Sequence, residues 1–146
     1  MSWNTITTAD IRLQPAEIAV MNNISGSTAI GAGILQTVIG EFVEAIQQGG
    51  NQFATDGTLP DVARPHVINR TRWLWLCEFP QLKVYQTEQR SRLNDEAVNF
   101  CRRIASGTPK IAPPTNPVAT GISLLTLPSI GPKKLRRFRP RNEDGV

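Results

Sequence analysis

A chain of 146 residues with sixteen Lys and Arg, twelve Asp and Glu, one histidine and two cysteines is sized for one domain with its own core. One histidine is too few for a histidine-based metal centre, and two cysteines, Cys77 and Cys101, sit inside apolar helical patterns and read as reduced core residues rather than a disulfide framework. The net charge of +4 is local: residues 1–132 hold ten basic and ten acidic residues, while the last fourteen hold six basic and two acidic. Electrostatic attraction to a partner therefore belongs to the tail.

In chain order, the first twenty residues lack a basic start followed by an apolar run, so no signal peptide is expected. Thr7 and Asp10 have the spacing of a capping pair for a short helix. Pro15 suits the first position of a second short piece, Pro15 to Asn22, with Ile18 and Met21 expected to face inward. Asn22 to Ser27 reads as a turn, with Ser25 or Ser27 capping a helix that runs to about Gln48. Leu35, Val38, Ile39, Phe42, Ala45 and Ile46 form its apolar face. Gly31, Gly33 and Gly40 each weaken a helix by roughly 1 kcal/mol relative to alanine, which suggests close backbone packing or a marginal first turn. The glycines do not make a phosphate loop, because no preceding strand and no Lys-Ser or Lys-Thr accompanies them. Gln36, Thr37, Glu41 and Glu44 interrupt the apolar segment, and no membrane span is expected.

Gly49 to Pro60 is a polar, glycine-rich connection. The third helix spans Asp61 to Phe79, and Pro65 places its regular start near Arg64. Val67, Ile68, Thr71, Leu74 and Trp75 form one face; Trp73, Leu76 and Cys77 form another. The stretch from Trp73 to Cys77 is apolar all round, so either the bundle encloses it or its outer side meets another chain. Pro80 ends this helix, and a short return leads into the longest amphipathic stretch, Gln86 to Gly107. There Leu93, Ala97, Phe100 and Ile104 recur at helical spacing, with Leu82 and Tyr85 extending the stripe upstream. Glu88 and the pair Arg102–Arg103 suit opposite ends of the helix dipole, Gly107 suits a left-handed closing residue, and Pro109 prevents a restart. The short connection makes these two helices antiparallel neighbours. Arg70, Arg72, Arg90 and Arg92 are expected on solvated sides, or paired with Glu41, Glu44 or Glu78 of a neighbouring subunit. The expected fold is all-α: three main helices plus short N-terminal helices form residues 1–107.

Residues 108–146 form an arm. Seven of the eleven prolines lie between Pro109 and Pro140, which favours an extended chain. Within Gly121 to Pro128, Ile122, Leu124, Leu125 and Leu127 make a β-capable run. The helical body is expected to offer it no sheet edge, so strand addition onto a partner is expected. Lys133, Lys134, Arg136, Arg137, Arg139 and Arg141 follow, interleaved with Leu135 and Phe138. That mixture suits phosphates or an acidic protein groove. His66 alone supplies no nucleophile–base pair, so neither an enzyme nor a cofactor is expected.

Trp3-Asn-Thr-Ile-Thr-Thr-Ala-Asp, Leu59-Pro followed by a helix rich in Arg and Trp, and Leu93…Ala97…Phe100…Ile104-Ala-Ser-Gly-Thr-Pro together give the chain a familiar outline. From about Trp3 to Pro114 it resembles the small head–tail adaptor proteins of tailed bacteriophages, also called connector or head-completion proteins. The likeness is architectural, because that family has no catalytic signature. It implies a structural protein of the virion neck, assembled in the host cytoplasm as a homo-oligomeric, dodecameric ring beneath the portal protein. The ring would receive stopper or tail-completion proteins and pass the genome through its channel. Trp73, Trp75, Leu93 and Phe100 would then shape the core and the ring interface. The arm would reach the portal or a neighbouring subunit, and the basic run would touch the portal or genomic DNA. The alternative is a nucleic-acid-binding packaging or regulatory protein acting through its basic tail.

Overall fold

In a computed structural model, which describes residues 2–54 and 56–115, three long helices share one core. They are α2 (Ser27–Gln48), α3 (Arg64–Glu78) and α4 (Glu88–Ala105), preceded by the short α1 (Pro15–Asn22). A two-residue strand β1 (Trp3–Asn4) pairs antiparallel with β2 (Leu59–Pro60), Trp3 opposite Pro60 and Asn4 opposite Leu59. The all-α expectation holds for this body, with that ribbon as its one departure among the described residues.

The expected apolar face of α2 is the centre of the core: Leu35, Val38, Ile39, Phe42, Ala45 and Ile46 are all buried. By length and composition α2 could also cross a membrane, but here this face is packed against other helices. α3 and α4 run antiparallel across it. The side-chain amide of Gln86, just before α4, donates to the Leu76 carbonyl near the end of α3 (2.9 Å), while His66 at the start of α3 stacks on Phe100 of α4. Ala97, Phe100 and Ile104 carry the buried stripe of α4. Thr87 caps its start by accepting from the Arg90 N–H (3.4 Å). At its end Gly107 takes φ +83°, the Thr108 N–H donates to the Arg103 carbonyl and the Gly107 N–H to the Ile104 carbonyl. That paired pattern closes the helix with its last carbonyls satisfied.

Several expectations need correction. Ile18 does not face inward; it is 43% exposed. Glu17 and Met21, one turn apart, hold the inner face of α1 instead, because Glu17 has two arginine partners inside. Neither Ser25 nor Ser27 caps α2. Gly26 holds that position at φ +77°, a conformation that favours glycine, and the Ser27 hydroxyl donates to the Met21 carbonyl (2.9 Å). Cys77 is exposed and Cys101 half-buried, so Cys77 is not a core residue. Leu93 is half-buried, because it falls at the shallow edge of the α4 stripe. Of the two readings of Trp73 to Cys77, full enclosure by the bundle does not hold: Trp75 and Leu76 are buried, Trp73 and Leu74 half-buried and Cys77 exposed.

Of the three glycines in α2, only Gly31 is explained by packing. A Cβ there would lie 2.4 Å from the Trp75 ring, whereas at Gly33 and Gly40 it would meet no described residue within 4 Å. The first short element is a single 3-10 turn, Thr8–Asp10, whose expected cap is present as the Thr7 N–H donating to Asp10 Oδ2 (2.8 Å).

Candidate functional site

Beyond Gly107 the chain does not leave the body at once. Ile111 is 7% exposed and Pro114 is buried. The Ile111 N–H donates to Asn51 Oδ1 (3.2 Å), and the Trp3 indole N–H donates to the Ala112 carbonyl (3.1 Å). The glycine-rich connection and the β1–β2 ribbon therefore form a dock that fixes where the tail departs, at the end of α2. Gly49 is part of this dock: a Cβ there would lie 2.1 Å from the Ile104 carbonyl oxygen. The ribbon is held by Asp61, whose carboxylate accepts from Ser2 and Asn4. These hydrogen bonds hold its pKa below the ordinary aspartate value. Sequence reading missed the dock, because its partners are tens of residues apart and two-residue strands leave no period.

A second unexpected feature is a buried charge cluster. Glu17 is 0% exposed. Its Oε2 accepts from the Gln14 N–H (2.8 Å) and Arg72 Nη2 (2.9 Å), and its Oε1 faces Arg90 Nη1 in an ion pair. Burial pushes the Glu17 pKa up, and the Gln14 N–H and two guanidiniums more than offset it, so the net shift is downward. One carboxylate thus ties α1 to α3 and α4. Arg70 makes a two-pronged pair with Glu41 within the same chain (2.6 and 3.1 Å). Arg92 pairs with Glu88 one turn away. The expectation of solvated arginines holds for Arg92, whose side chain is 73% exposed, and is corrected for Arg70, Arg72 and Arg90, which are largely covered; all four have partners in their own chain, so none needs a neighbour's carboxylate. The sequence did hold one signal for Glu17, since Gln14-Pro15-x-Glu17 has the spacing of a capping pair.

His66 lies parallel to Phe100, ring centroids 4.1 Å apart and 18° between planes. Burial and the nearby Arg103 lower its pKa, with Glu96 acting in the opposite sense. Among the described residues no group of three His, Cys, Asp or Glu side chains could hold a metal ion. Trp75 and Phe100 are core residues. Trp73 and Leu93 are half-buried at the surface, so the four do not form one patch. Ile122, Leu124, Leu125 and Leu127, together with Lys133, Lys134, Arg136, Arg137, Arg139 and Arg141, lie outside the described residues.

An open, mostly apolar groove of about 560 Å³ lies between α2 and α3, lined by Ile30, Gly33, Ile34, Thr37, Leu74 and Cys77, with Glu78 also in its lining. Ile30 is 39% exposed there. A smaller hollow of about 330 Å³ lies nearby between α1 and Trp75, with Ile18 and Met21 in its wall. A polar cleft of about 620 Å³ gathers Arg12, Arg64 and Arg72 around Asp10, but Arg64 already pairs with Asp10 (2.5 Å) and Arg72 with Glu17. The grooves can bind apolar segments; the polar cleft is already largely neutralised.

No family model, no curated protein and no solved structure matches this chain.

Proposed function

We propose that this chain is a structural head–tail adaptor of a tailed bacteriophage, a subunit that forms a ring under the portal and joins the DNA-filled head to the stopper or tail-completion protein. The observation that carries this reading is how the chain leaves its body. A helical bundle closes its last helix at Gly107, pins Ile111 and Ala112 onto Asn51 and Trp3, and hands on a tail with an apolar run and six basic residues. A pinned departure point gives every subunit of a ring the same tail origin. Many weak tail contacts then add up by effective concentration, without any one being tight. The balanced charge of residues 1–132 permits close side-by-side packing of copies, and the basic run supplies attraction to the portal or to DNA.

Electron microscopy of the purified protein mixed with its portal tests the reading. Closed rings stacked on the portal are expected. Salt-sensitive binding of duplex DNA with no portal association would instead support a nucleic-acid-binding packaging or regulatory protein.

A further inference from the structure

We propose that the polar cleft between the N-terminal segment and the first half of α3 binds linked phosphate groups, either free in solution as a polyphosphate or carried by a nucleic-acid strand. The inference does not rest on the adaptor reading, and it gives the body a charged contact of its own beside the tail.

Three observations carry it. First, the cleft of about 620 Å³ is lined by three arginines, Arg12, Arg64 and Arg72, and by one carboxylate, Asp10. The pairs already made there leave positive charge unspent. Asp10 has both oxygens engaged, Oδ2 by Thr7 and Oδ1 by Arg64. Glu17 is shared between Arg72 and Arg90, one carboxylate for two guanidiniums. Asp61, the next acid beyond Arg64, is engaged by Ser2 and Asn4. Arg12 is exposed and pairs with no described carboxylate. The balanced total of residues 1–132 thus hides a local excess of positive charge.

Second, the donors are held ready. Arg64 and Arg72 are fixed by their carboxylates, yet 42% and 22% of their side chains stay exposed. Guanidiniums already fixed lose little freedom when a ligand arrives, and their forks match phosphate oxygens two at a time. Arg72 Nε is covered and has no partner among the described residues. A buried donor without an acceptor is costly, and an anion seated against Arg72 would supply one.

Third, the shape suits a row of anions. Pro65, Ile68, Asn69 and Arg72 line the cleft at i, i+3, i+4 and i+7, so they share one face of α3. That face runs for about 10 Å. Arg64 stands at one end of it and Arg72 at the other, Asn69 adds an amide between them, and Arg12 comes from the separate N-terminal segment. A lone inorganic anion covers a fraction of that length, whereas a strand offers a phosphate about every 3.4 Å of its axis.

The test uses the full chain with Lys133, Lys134, Arg136, Arg137, Arg139 and Arg141 replaced by glutamine, so that these residues add no attraction. Tripolyphosphate is titrated by calorimetry and a short single-stranded oligonucleotide by fluorescence anisotropy, both at low salt, with citrate as the carboxylate control. Binding of tripolyphosphate, of the oligonucleotide or of both is expected, and Arg12→Gln should weaken it about tenfold. Arg12 has no described ion-pair partner, so this variant should keep the native melting temperature without ligand. Arg102→Gln, on the α2–α4 side of the body, should leave binding unchanged. Binding of tripolyphosphate alone assigns the cleft to a free phosphate ligand, and of the oligonucleotide alone to a strand. The proposal is overturned if neither binds, if binding survives Arg12→Gln, if Arg102→Gln weakens it equally, or if citrate binds as tightly.

Discussion

Replacing Glu17 by glutamine keeps the shape of the side chain and removes its charge. In the native chain Arg72 Nη2 sits 2.9 Å from the carboxylate, and Arg90 faces its other oxygen. At that separation an effective dielectric of about 20 gives roughly 6 kcal/mol of attraction for one pair. Several kcal/mol of desolvation per buried ion are set against this. Removing one partner leaves the desolvation of the others in place. The side chains of Arg72 and Arg90 are only 22% and 13% exposed, so they would remain confined beside each other without an anion. A loss of about 3 kcal/mol follows, at the lower end of the range for breaking a buried pair because both arginines keep some water. Urea unfolding followed by tryptophan fluorescence measures it, with Trp75 in the core as the reporter. The folded pKa of Glu17 is lowered, so its contribution is fully present above the ordinary glutamate value of 4.5. It fades as pH falls from there through the folded value. The stability gap between native and variant protein should therefore shrink in acid. A gap under about 1 kcal/mol at neutral pH, or one that widens on acidification, would refute the role given to Glu17 in fastening α1.

Two glycines in one helix give opposite expectations. Gly31→Ala drives a methyl into the Trp75 ring, 2.4 Å away, and should cost about 1–3 kcal/mol; Gly40→Ala meets nothing and should gain about 0.5–1 kcal/mol. Thermal melts of the two variants decide this. Asn51→Ala removes the acceptor for the Ile111 N–H and should cost about 1 kcal/mol. Hydrogen exchange should rise at residues 108–114 and stay unchanged in α3.

The helices could be read from the sequence because their signals are local. Pro15, Gly107 and the i, i+3, i+4 recurrence from Leu35 to Ile46 each act within a turn or two of chain. Ile18 was misread for a related reason: periodicity ranks apolar residues, and only tertiary contact reveals that Glu17 is neutralised inside by arginines far along the chain. The ribbon of Trp3–Asn4 with Leu59–Pro60 is too short to show alternation. The same limit hid the dock for Ile111, where Asn51 and Trp3 contribute one hydrogen bond each. Cys77 looked internal because its neighbours Leu74, Trp75 and Leu76 are apolar, yet it falls on the outer side of α3. The α2–α3 groove had one faint trace in the sequence, since Gly33 in its lining weakens α2 without any described atom near its missing Cβ.

The adaptor account stands on the tail recruiting the body to a partner. Sedimentation of portal-bearing, DNA-filled heads with the full chain, and separately with a chain lacking residues 121–146, tests this most directly. The account predicts that the full chain travels with the heads, while the shortened one keeps its helical signature and stays in solution. Co-sedimentation of the shortened chain at the full chain's level would contradict it.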